Sequence, residues 1–505
     1  MKRNILEWFQ KTVSDYPGKV AFSDTENRIT FKELSLNAKA VGSAIAEISK
    51  DDTPVAVFSG RKIETVSAFL GVVYSGHAYA PVDATLPDLR IKSILETLCP
   101  KIVIADKDNI ERARELGVNS EIVELESLFS HPIDEARLDD ILEKSVITDP
   151  LYIIFTSGST GKPKGVITSH HSLMCYIDAY TSVMGIDEND RLGNQSPLDY
   201  IAAVRDIYIP LKTGCSTFII PKEYFMEPDR LFTLMNGEKI TAVGWSVSAF
   251  TVLTSLGAFQ SKKLETLNKI CFSGSVMPSK VLKLWQENLP EAKFVNQYGP
   301  TEATASCTYY EIDRTVSEDE VLPIGKPYKN YRIVLLDENL KEVRKGELGE
   351  ICVSGPILAL GYYNDPERTA KSFIQNPCQN GFFERMYKTG DIGRINEDGL
   401  LEFHGRLDRQ IKHMGHRVEL DEIEYAASLI EGVKESCCIY NSEKEVLCLL
   451  YTGTAKVPEV AGALRKSIPG FMVPRKLVCT ESIPRLPNGK TDMNKVKEFF
   501  LRNKR

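Results

Sequence analysis

The chain has 505 residues, 43% hydrophobic and 26% charged, with 62 lysines and arginines against 69 aspartates and glutamates, a formal charge of −7. At roughly 100–200 residues per domain this length allows two to four domains, and the composition excludes disorder as the main state. The acidic balance argues against a dedicated nucleic-acid or anionic-membrane binder.

The N-terminus has basic residues but then an acid and an amphipathic stretch, so it lacks the apolar core of a signal peptide. Short, continuous, β-branched runs at 54–58, 101–105 and 151–155 read as strands covered on both faces. Helix-period segments lie between them at 63–74 and 89–98. This alternation predicts an α/β fold of layered sheets and helices, with mainly parallel strands. No apolar run reaches the ~18–20 residues that cross a bilayer. After about Leu322 the pattern changes. Residues 346–353 read as turn then strand and 399–406 as a hairpin arm, which marks a β-rich subdomain. A polar, charged stretch at 407–409 separates this part from about eighty further residues of helix and strand. The expected organisation is a large N-terminal domain, 1–407, and a small α/β lobe, 408–505. Eleven scattered cysteines without a Cys-x-x-Cys or a Cys/His cluster point to reduced thiols in a cytoplasmic protein, not to a zinc site.

Five segments carry possible chemistry. After the strand at 151–155 comes Thr156-Ser157-Gly158-Ser159-Thr160-Gly161-Lys162-Pro163-Lys164-Gly165. Its glycines let backbone N–H groups approach a ligand, and its hydroxyls and lysines suit anionic oxygens. It cannot be matched to the Walker pattern, and its plain alternative is a flexible linker. In Asn296-Gln297-Tyr298-Gly299-Pro300-Thr301-Glu302, Gly-Pro makes a turn, Tyr298 offers a face to a base and Glu302 a carboxylate to a hard cation such as Mg²⁺. Alone it is only a turn. Tyr387-Lys388-Thr389-Gly390-Asp391 places a carboxylate after a glycine, where it could accept ribose hydroxyls or simply cap a turn. Gly405-Arg406-Leu407-Asp408-Arg409-Gln410-Ile411-Lys412, followed by Gly415-His416-Arg417-Val418-Glu419-Leu420, reads equally as a charged linker. Leu486-Pro487-Asn488-Gly489-Lys490 presents Lys490 at a turn, where a lone lysine is usually just solvated.

In this order the five segments together resemble the adenylate-forming superfamily of acyl- and aryl-CoA ligases, luciferases and peptide-synthetase adenylation domains. Tyr74-Ser75-Gly76-His77-Ala78-Tyr79-Ala80-Pro81-Val82-Asp83 and Phe471-Met472-Val473-Pro474 belong to the same resemblance, which covers essentially the whole chain. The wording around Gln297–Glu302 and Gln410–Leu420 is more similar to freestanding peptide-synthetase and D-alanyl carrier protein ligase enzymes than to CoA ligases.

The resemblance implies ATP and Mg²⁺ as cofactors and two half-reactions. A carboxylic acid is activated to an acyl-adenylate, and a thiol then displaces AMP. It implies that Thr156, Ser157, Gly158, Ser159, Thr160, Gly161 and Lys162 hold the β,γ-phosphates. Thr301 would meet the α-phosphate and Glu302 the metal. Tyr298 would stack on adenine beside Gly274, Asn296, Gln297, Gly299 and Phe403. Asp391 and Arg406 would hold the ribose. Lys490 would bridge the carboxylate and the α-phosphate. Asp408 would be the hinge about which a mobile C-terminal lobe turns between the half-reactions.

The substrate pocket implied by the same resemblance comprises Ile201, Ala202, Arg205, Ser248, Cys271, Ser273, Gln297, Ala305 and Ser306. Counting forward from Asp190-Arg191 and back from Leu211-Lys212-Thr213-Gly214 both place Ile201 where amino-acid members carry an aspartate for the substrate ammonium. Burying an unpaired ammonium is costly, so an ordinary α-amino acid, D-alanine included, fits poorly. Arg205 could meet a second anion or hydroxyl of the substrate, or bridge a neighbouring acid. Asp199, two residues before Ile201, would face the same side of a strand and could take a displaced amine. An aryl or hydroxy acid is favoured. The chain ends soon after Lys490, which suggests a freestanding enzyme meeting its acceptor in trans. The acceptor is expected to be a phosphopantetheinylated carrier protein, with CoA as the runner-up. The basic tail, Lys495, Lys497, Arg502, Lys504 and Arg505, is either a docking aid or a solvated end. The same motifs also admit an enzyme that loads an amino acid onto a carrier protein, or a catalytically idle nucleotide-binding scaffold, since a fold does not guarantee its chemistry.

Overall fold

The structure is a computed structural model that describes residues 4–158, 162–318, 320–442, 444–485 and 491–502. The chain divides into two compact units. The first comprises residues 1–84, 98–155 and 165–407, and the second 85–97, 156–164 and 408–505.

The expected strands form Val55–Ser59, Ile102–Ala105 and Pro150–Thr156, and the expected helices Ile63–Tyr74 and Asp88–Leu98. All five residues of Val55–Ser59 are buried, as a strand with both faces covered requires. It pairs in parallel with Tyr79–Asp83 and Ile102–Ala105 inside a seven-stranded sheet. A nine-stranded sheet has a parallel centre, in which Lys269–Ser273 lies between Ala242–Ser246 and Lys293–Tyr298. A third, antiparallel sheet of five strands is the β-rich part expected after Leu322. Its long strand Arg385–Ile395 pairs with Gly349–Ser354 on one side and Leu401–Arg406 on the other.

Two helices show how closely the first unit packs. Phe31–Ile48 starts in a capping box in which Thr30 and Glu33 satisfy each other's backbone N–H groups. It crosses Ile63–Tyr74 at two glycines. A Cβ on Gly71 would lie 2.4 Å from Val41 Cγ1, and one on Gly42 2.6 Å from Tyr74 Cβ. The helix Ile63–Tyr74 is buried at every position but one, consistent with its nearly all-round apolar sequence.

In the second unit, Val446–Gly453 pairs antiparallel with Val433–Asn441 and parallel with Lys476–Thr480. The helices Leu420–Ser428 and Val457–Ser467 contribute Ile423, Val460 and Leu464 to its core. A hairpin of Gln410–His413 and His416–Glu419 turns on Met414 and Gly415, both at positive φ, as a two-residue hairpin loop demands. No helix of the described residues is long and apolar enough to cross a membrane.

Candidate active site

Four residues expected at the nucleotide come together in the first unit. Tyr298 ends the strand Lys293–Tyr298 and is 5% exposed. Its hydroxyl donates to Asp391 Oδ2 at 2.5 Å. The other carboxylate oxygen of Asp391 accepts from Arg406, and the backbone N–H of Asp391 is held by Thr389 Oγ1 at 3.0 Å. The Phe403 ring lies 6.5 Å from that of Tyr298. Asp391 is not on the simple turn that its sequence suggests. It sits inside the strand Arg385–Ile395, where Gly390 at φ 73° precedes a register shift opposite Leu401–Arg406. A bulge re-aims a side chain without ending the strand. The carboxylate is thereby set beside Arg406, its cross-strand partner.

Gly299-Pro300 is not itself a turn, since Pro300 is extended; the chain turns just after it, where the Ala303 N–H bonds the Pro300 carbonyl at 3.1 Å and the short 3₁₀ segment Thr301–Ala303 begins. Gly299 is required by close approach, since a Cβ there would lie 2.4 Å from Ser306 Cα. Thr301 is buried and Glu302 is 0% exposed. The Glu302 carboxylate accepts from the Tyr362 hydroxyl at 2.8 Å, and its carbonyl accepts from the Ala359 N–H at 2.9 Å. Asn296 donates to the Pro323 carbonyl at 2.9 Å and Gly274 takes φ 96° at the end of the neighbouring strand. Tyr362 carries no motif signal, and its bond to Glu302 spans 60 residues of sequence.

Of the positions expected at the substrate, Ile201, Arg205, Cys271, Gln297 and Ser306 are buried, and Ala202, Ser248, Ser273 and Ala305 are partly buried; Arg205 is 1% exposed on the helix Ala203–Thr213. Its Nη2 donates to the Gly244 carbonyl, and its Nε lies 3.8 Å from Asp206 Oδ1. That Nε has no hydrogen-bond partner among the described residues. The Tyr180 ring centre is 5.9 Å from the guanidinium carbon. A side chain on Gly244 would collide with Arg205, with Cβ 2.3 Å from Nε. Burial pushes the Asp206 carboxyl up to about 6, against the pull of Arg205 and of Asn194, which donates to it at 2.8 Å. Gln297 donates to Tyr328 at 2.6 Å and accepts from Ser306 at 3.3 Å. Cys271 is fully buried, and burial raises its thiol to about 11. Ser273 ends the strand Lys269–Ser273, Ser248 lies in the helix Val247–Ser255, and Ala305 is at φ 72° just after the 3₁₀ segment.

Ile201 is 6% exposed and belongs to the main apolar core. The strand expected through 199–201 is instead a turn leading into the helix Ala203–Thr213. The Tyr200 N–H bonds the Pro197 carbonyl at 3.1 Å and the Ala203 N–H bonds the Tyr200 carbonyl at 2.9 Å. Pro197 and the helix start close the chain on itself, so Asp199 and Ile201 do not share a strand face. Ala202 precedes the helix. Burial and the neighbouring Asp83 carboxylate raise the Asp199 carboxyl above its ordinary range.

Of the glycine-rich loop, Thr156, Ser157 and Gly158 belong to the second unit with Lys162. Thr156 Oγ1 is buried without a hydrogen-bond partner among the described residues. Ser157 Oγ donates to the Arg417 carbonyl at 2.8 Å and the Gly158 N–H to Glu422 Oε2 at 3.2 Å. Asp408 accepts from the Gln410 N–H at 3.2 Å. Ser159, Thr160, Gly161 and Lys490 lie outside the described residues.

Tyr298, Asp391, Arg406, Phe403 and the buried Glu302 thus all lie in the first unit. The chain belongs to the AMP-binding enzyme family, whose sequence profile matches residues 9–363. It is 33% identical over 518 residues to the D-alanine–D-alanyl carrier protein ligase of Bacillus cytotoxicus, covering 97% of this chain and 98% of that one. It is 30% identical over 502 residues to tyrocidine synthase 1 of Brevibacillus parabrevis, of which it spans only 45%. Its fold is shared with the Vibrio cholerae adenylation domain AlmE, solved with glycyl-adenosine-5′-phosphate, at TM-score 0.83 and 21% identity over 100% of this chain and 98% of that one. The chain is an AMP-forming ligase close to D-alanine carrier protein ligases and peptide-synthetase adenylation domains.

Proposed function

We propose that the chain activates a carboxylic acid lacking an α-ammonium and transfers the acyl group to the phosphopantetheine thiol of a carrier protein. The observation that carries the substrate class is the pairing of a core-buried Ile201 with an Arg205 whose Nε has no hydrogen-bond partner among the described residues. An ammonium set against Ile201 would be buried without a counter-charge, whereas an oxygen acceptor set against Arg205 would gain a charge-assisted hydrogen bond.

In the first half-reaction a carboxylate oxygen attacks the α-phosphorus of ATP, and the bond to the β-bridging oxygen breaks with loss of pyrophosphate. In the second, a thiolate attacks the acyl carbon and AMP leaves. Both reactants of the first step are anionic, so the chain must supply positive charge and N–H donors. Asp391, fixed by Tyr298 and Arg406, would accept the ribose hydroxyls. The faces of Tyr298 and Phe403 would border the base. Glu302 is the motif carboxylate buried in the 3₁₀ segment after Pro300, and among the described residues no three His, Cys, Asp or Glu side chains gather to cage a metal. One carboxylate plus substrate phosphates suits Mg²⁺, which favours few protein ligands. Mg²⁺ held by Glu302 would offset phosphate charge, while Tyr362 would orient that carboxylate. Carrier loading is supported by the D-alanyl carrier protein ligase relatives.

The test is acid-dependent pyrophosphate release across α-amino, β-amino, aryl, hydroxy and dicarboxylic acids. The best response is expected from an acid without an α-amine, and Arg205→Gln should cut its kcat/KM by at least tenfold. A best response to an α-amino acid would overturn the substrate class. Thioester formation with CoA but with no carrier protein would overturn the acceptor. One observation favours a second reading. The Asp199 carboxyl, raised by burial and by Asp83, would release its proton to meet a displaced ammonium. A best response to a β-amino acid, abolished by Asp199→Asn, would select it.

A further inference from the structure

Within the second unit, the Gly158 N–H is already bonded to an anion of the chain's own making. Glu422 lies in the first turn of the helix Leu420–Ser428, and its side chain is 2% exposed. Its Oε1 is ion-paired with Arg90, whose side chain is 9% exposed on the helix Asp88–Leu98, and its Oε2 accepts the Gly158 N–H at 3.2 Å. Beside it, Ser157 spends its hydroxyl on the Arg417 carbonyl at 2.8 Å. Two consecutive residues of a loop built to donate to anionic oxygens are thus bonded to residues 417 and 422.

We propose that Glu422 is a built-in competitor of the β- and γ-phosphates of ATP for this loop, so that nucleotide binding must expel it and loss of pyrophosphate lets it return. The inference rests on the phosphate-binding reading of residues 156–162. A backbone N–H has one hydrogen to donate, so Gly158 serves the Glu422 carboxylate or a phosphate oxygen, not both. The choice of a carboxylate is chemically specific. It matches a phosphate oxygen in charge and acceptor geometry, and it brings its own cation, Arg90, which keeps the buried charge compensated while the loop holds no phosphate. Burial raises the Glu422 carboxyl, opposed by Arg90 and the Gly158 N–H. A ligand that must first displace a competitor binds with its affinity divided by the fraction of competent molecules. AMP, which lacks the β- and γ-phosphates, should not feel the competition.

The test is isothermal titration of the full chain with α,β-methylene-ATP and with AMP, for wild type, Glu422→Gln, Glu422→Asp and Lys162→Ala. Glu422→Gln removes the charge, and Glu422→Asp keeps it but withdraws it by one methylene. Each is expected to tighten the ATP analogue about five- to tenfold with AMP unchanged. The aspartate variant keeps a partner for Arg90 and serves if the glutamine variant fails to fold. Lys162→Ala is expected to weaken the analogue and spare AMP, which tests the phosphate-binding reading by itself. If Lys162→Ala weakens the analogue while neither Glu422 variant tightens it, the competition is overturned and the loop reading stands. If Lys162→Ala leaves both ligands unchanged, the loop reading falls, and the proposal with it.

Discussion

Asp391 is bonded on both carboxylate oxygens, by the Tyr298 hydroxyl and by Arg406, so the three residues proposed at the nucleotide depend on one another. A carboxylate so held cannot rotate, which suits it to accept two vicinal hydroxyls. Asp391→Asn should weaken AMP and ATP alike, by about 10- to 100-fold on the ~1.5–3 kcal/mol of hydrogen bonds to a charged group. Calorimetric titration with both nucleotides checks this, and selective loss of ATP alone would move Asp391 away from the ribose. Asp391 and Arg406 are visible in the sequence as parts of short motifs. The bond from Tyr298 is not, because it joins residues 93 apart. The same holds for Tyr362 and Glu302, since a lone tyrosine after a glycine looks like any core residue until the fold brings it to the carboxylate. Arg205 draws attention in the sequence only through the resemblance, and its place against Gly244 and Tyr180 depends on a glycine where any Cβ would collide with it.

At the scale of elements, apolar periodicity locates strands and helices within a residue or two, because buried parallel strands and fully buried helices leave unbroken apolar runs. It fails at 199–201, where an apolar and acidic stretch looks extended and a backbone turn set by Pro197 closes it. Gly42 and Gly71 would read as weak points of their helices, costing up to ~1 kcal/mol each against alanine. They are instead what lets the two helices meet. The helix His170–Met184, which follows the strand Lys164–Ser169 after the glycine-rich loop, carries a titrating group at its first residue. His170 is 5% exposed, and its Nδ1 accepts the Ile5 N–H at 3.4 Å, which a protonated ring could not do. Burial lowers it from 6.5 to about 4. Between those values the unfolded chain binds a proton that the folded chain refuses, so stability is lost as pH falls through this window. At ~1.4 kcal/mol per unit the full window is worth about 3 kcal/mol. His170→Asn keeps an acceptor and removes the titration. Unfolding free energies at pH 7 and pH 4.5 should differ by about 2 kcal/mol less in the variant than in wild type, and equal acid sensitivity would exonerate His170.

For the whole molecule, the sequence suggests a division at a charged stretch after Leu407, and it offers no means of seeing that residues 85–97 and 156–164 group with the tail. Those segments join through Arg90, Gly158 and Glu422, single contacts between residues 264 apart in the case of Gly158 and Glu422, for which no local pattern exists. The two proposed half-reactions would make different electrostatic demands on such a chain. Joining a carboxylate to a phosphate needs a cation at the meeting point of two anions, whereas thiolate attack on a neutral acyl carbon does not. By the family resemblance that cation would be Lys490. Lys490→Ala is therefore expected to slow acid-dependent pyrophosphate release by about 100- to 1000-fold, the range for removing one positioned charge from a transition state. Thioester formation from a chemically supplied acyl-adenylate should stay within about threefold of wild type, since a group acting only in one transition state leaves the other barrier unchanged. Single-turnover measurement of each half-reaction separates the two. Equal loss in both would mean that Lys490 supports the fold or the acyl-adenylate itself, and the division of labour between the half-reactions would have to be sought in other residues.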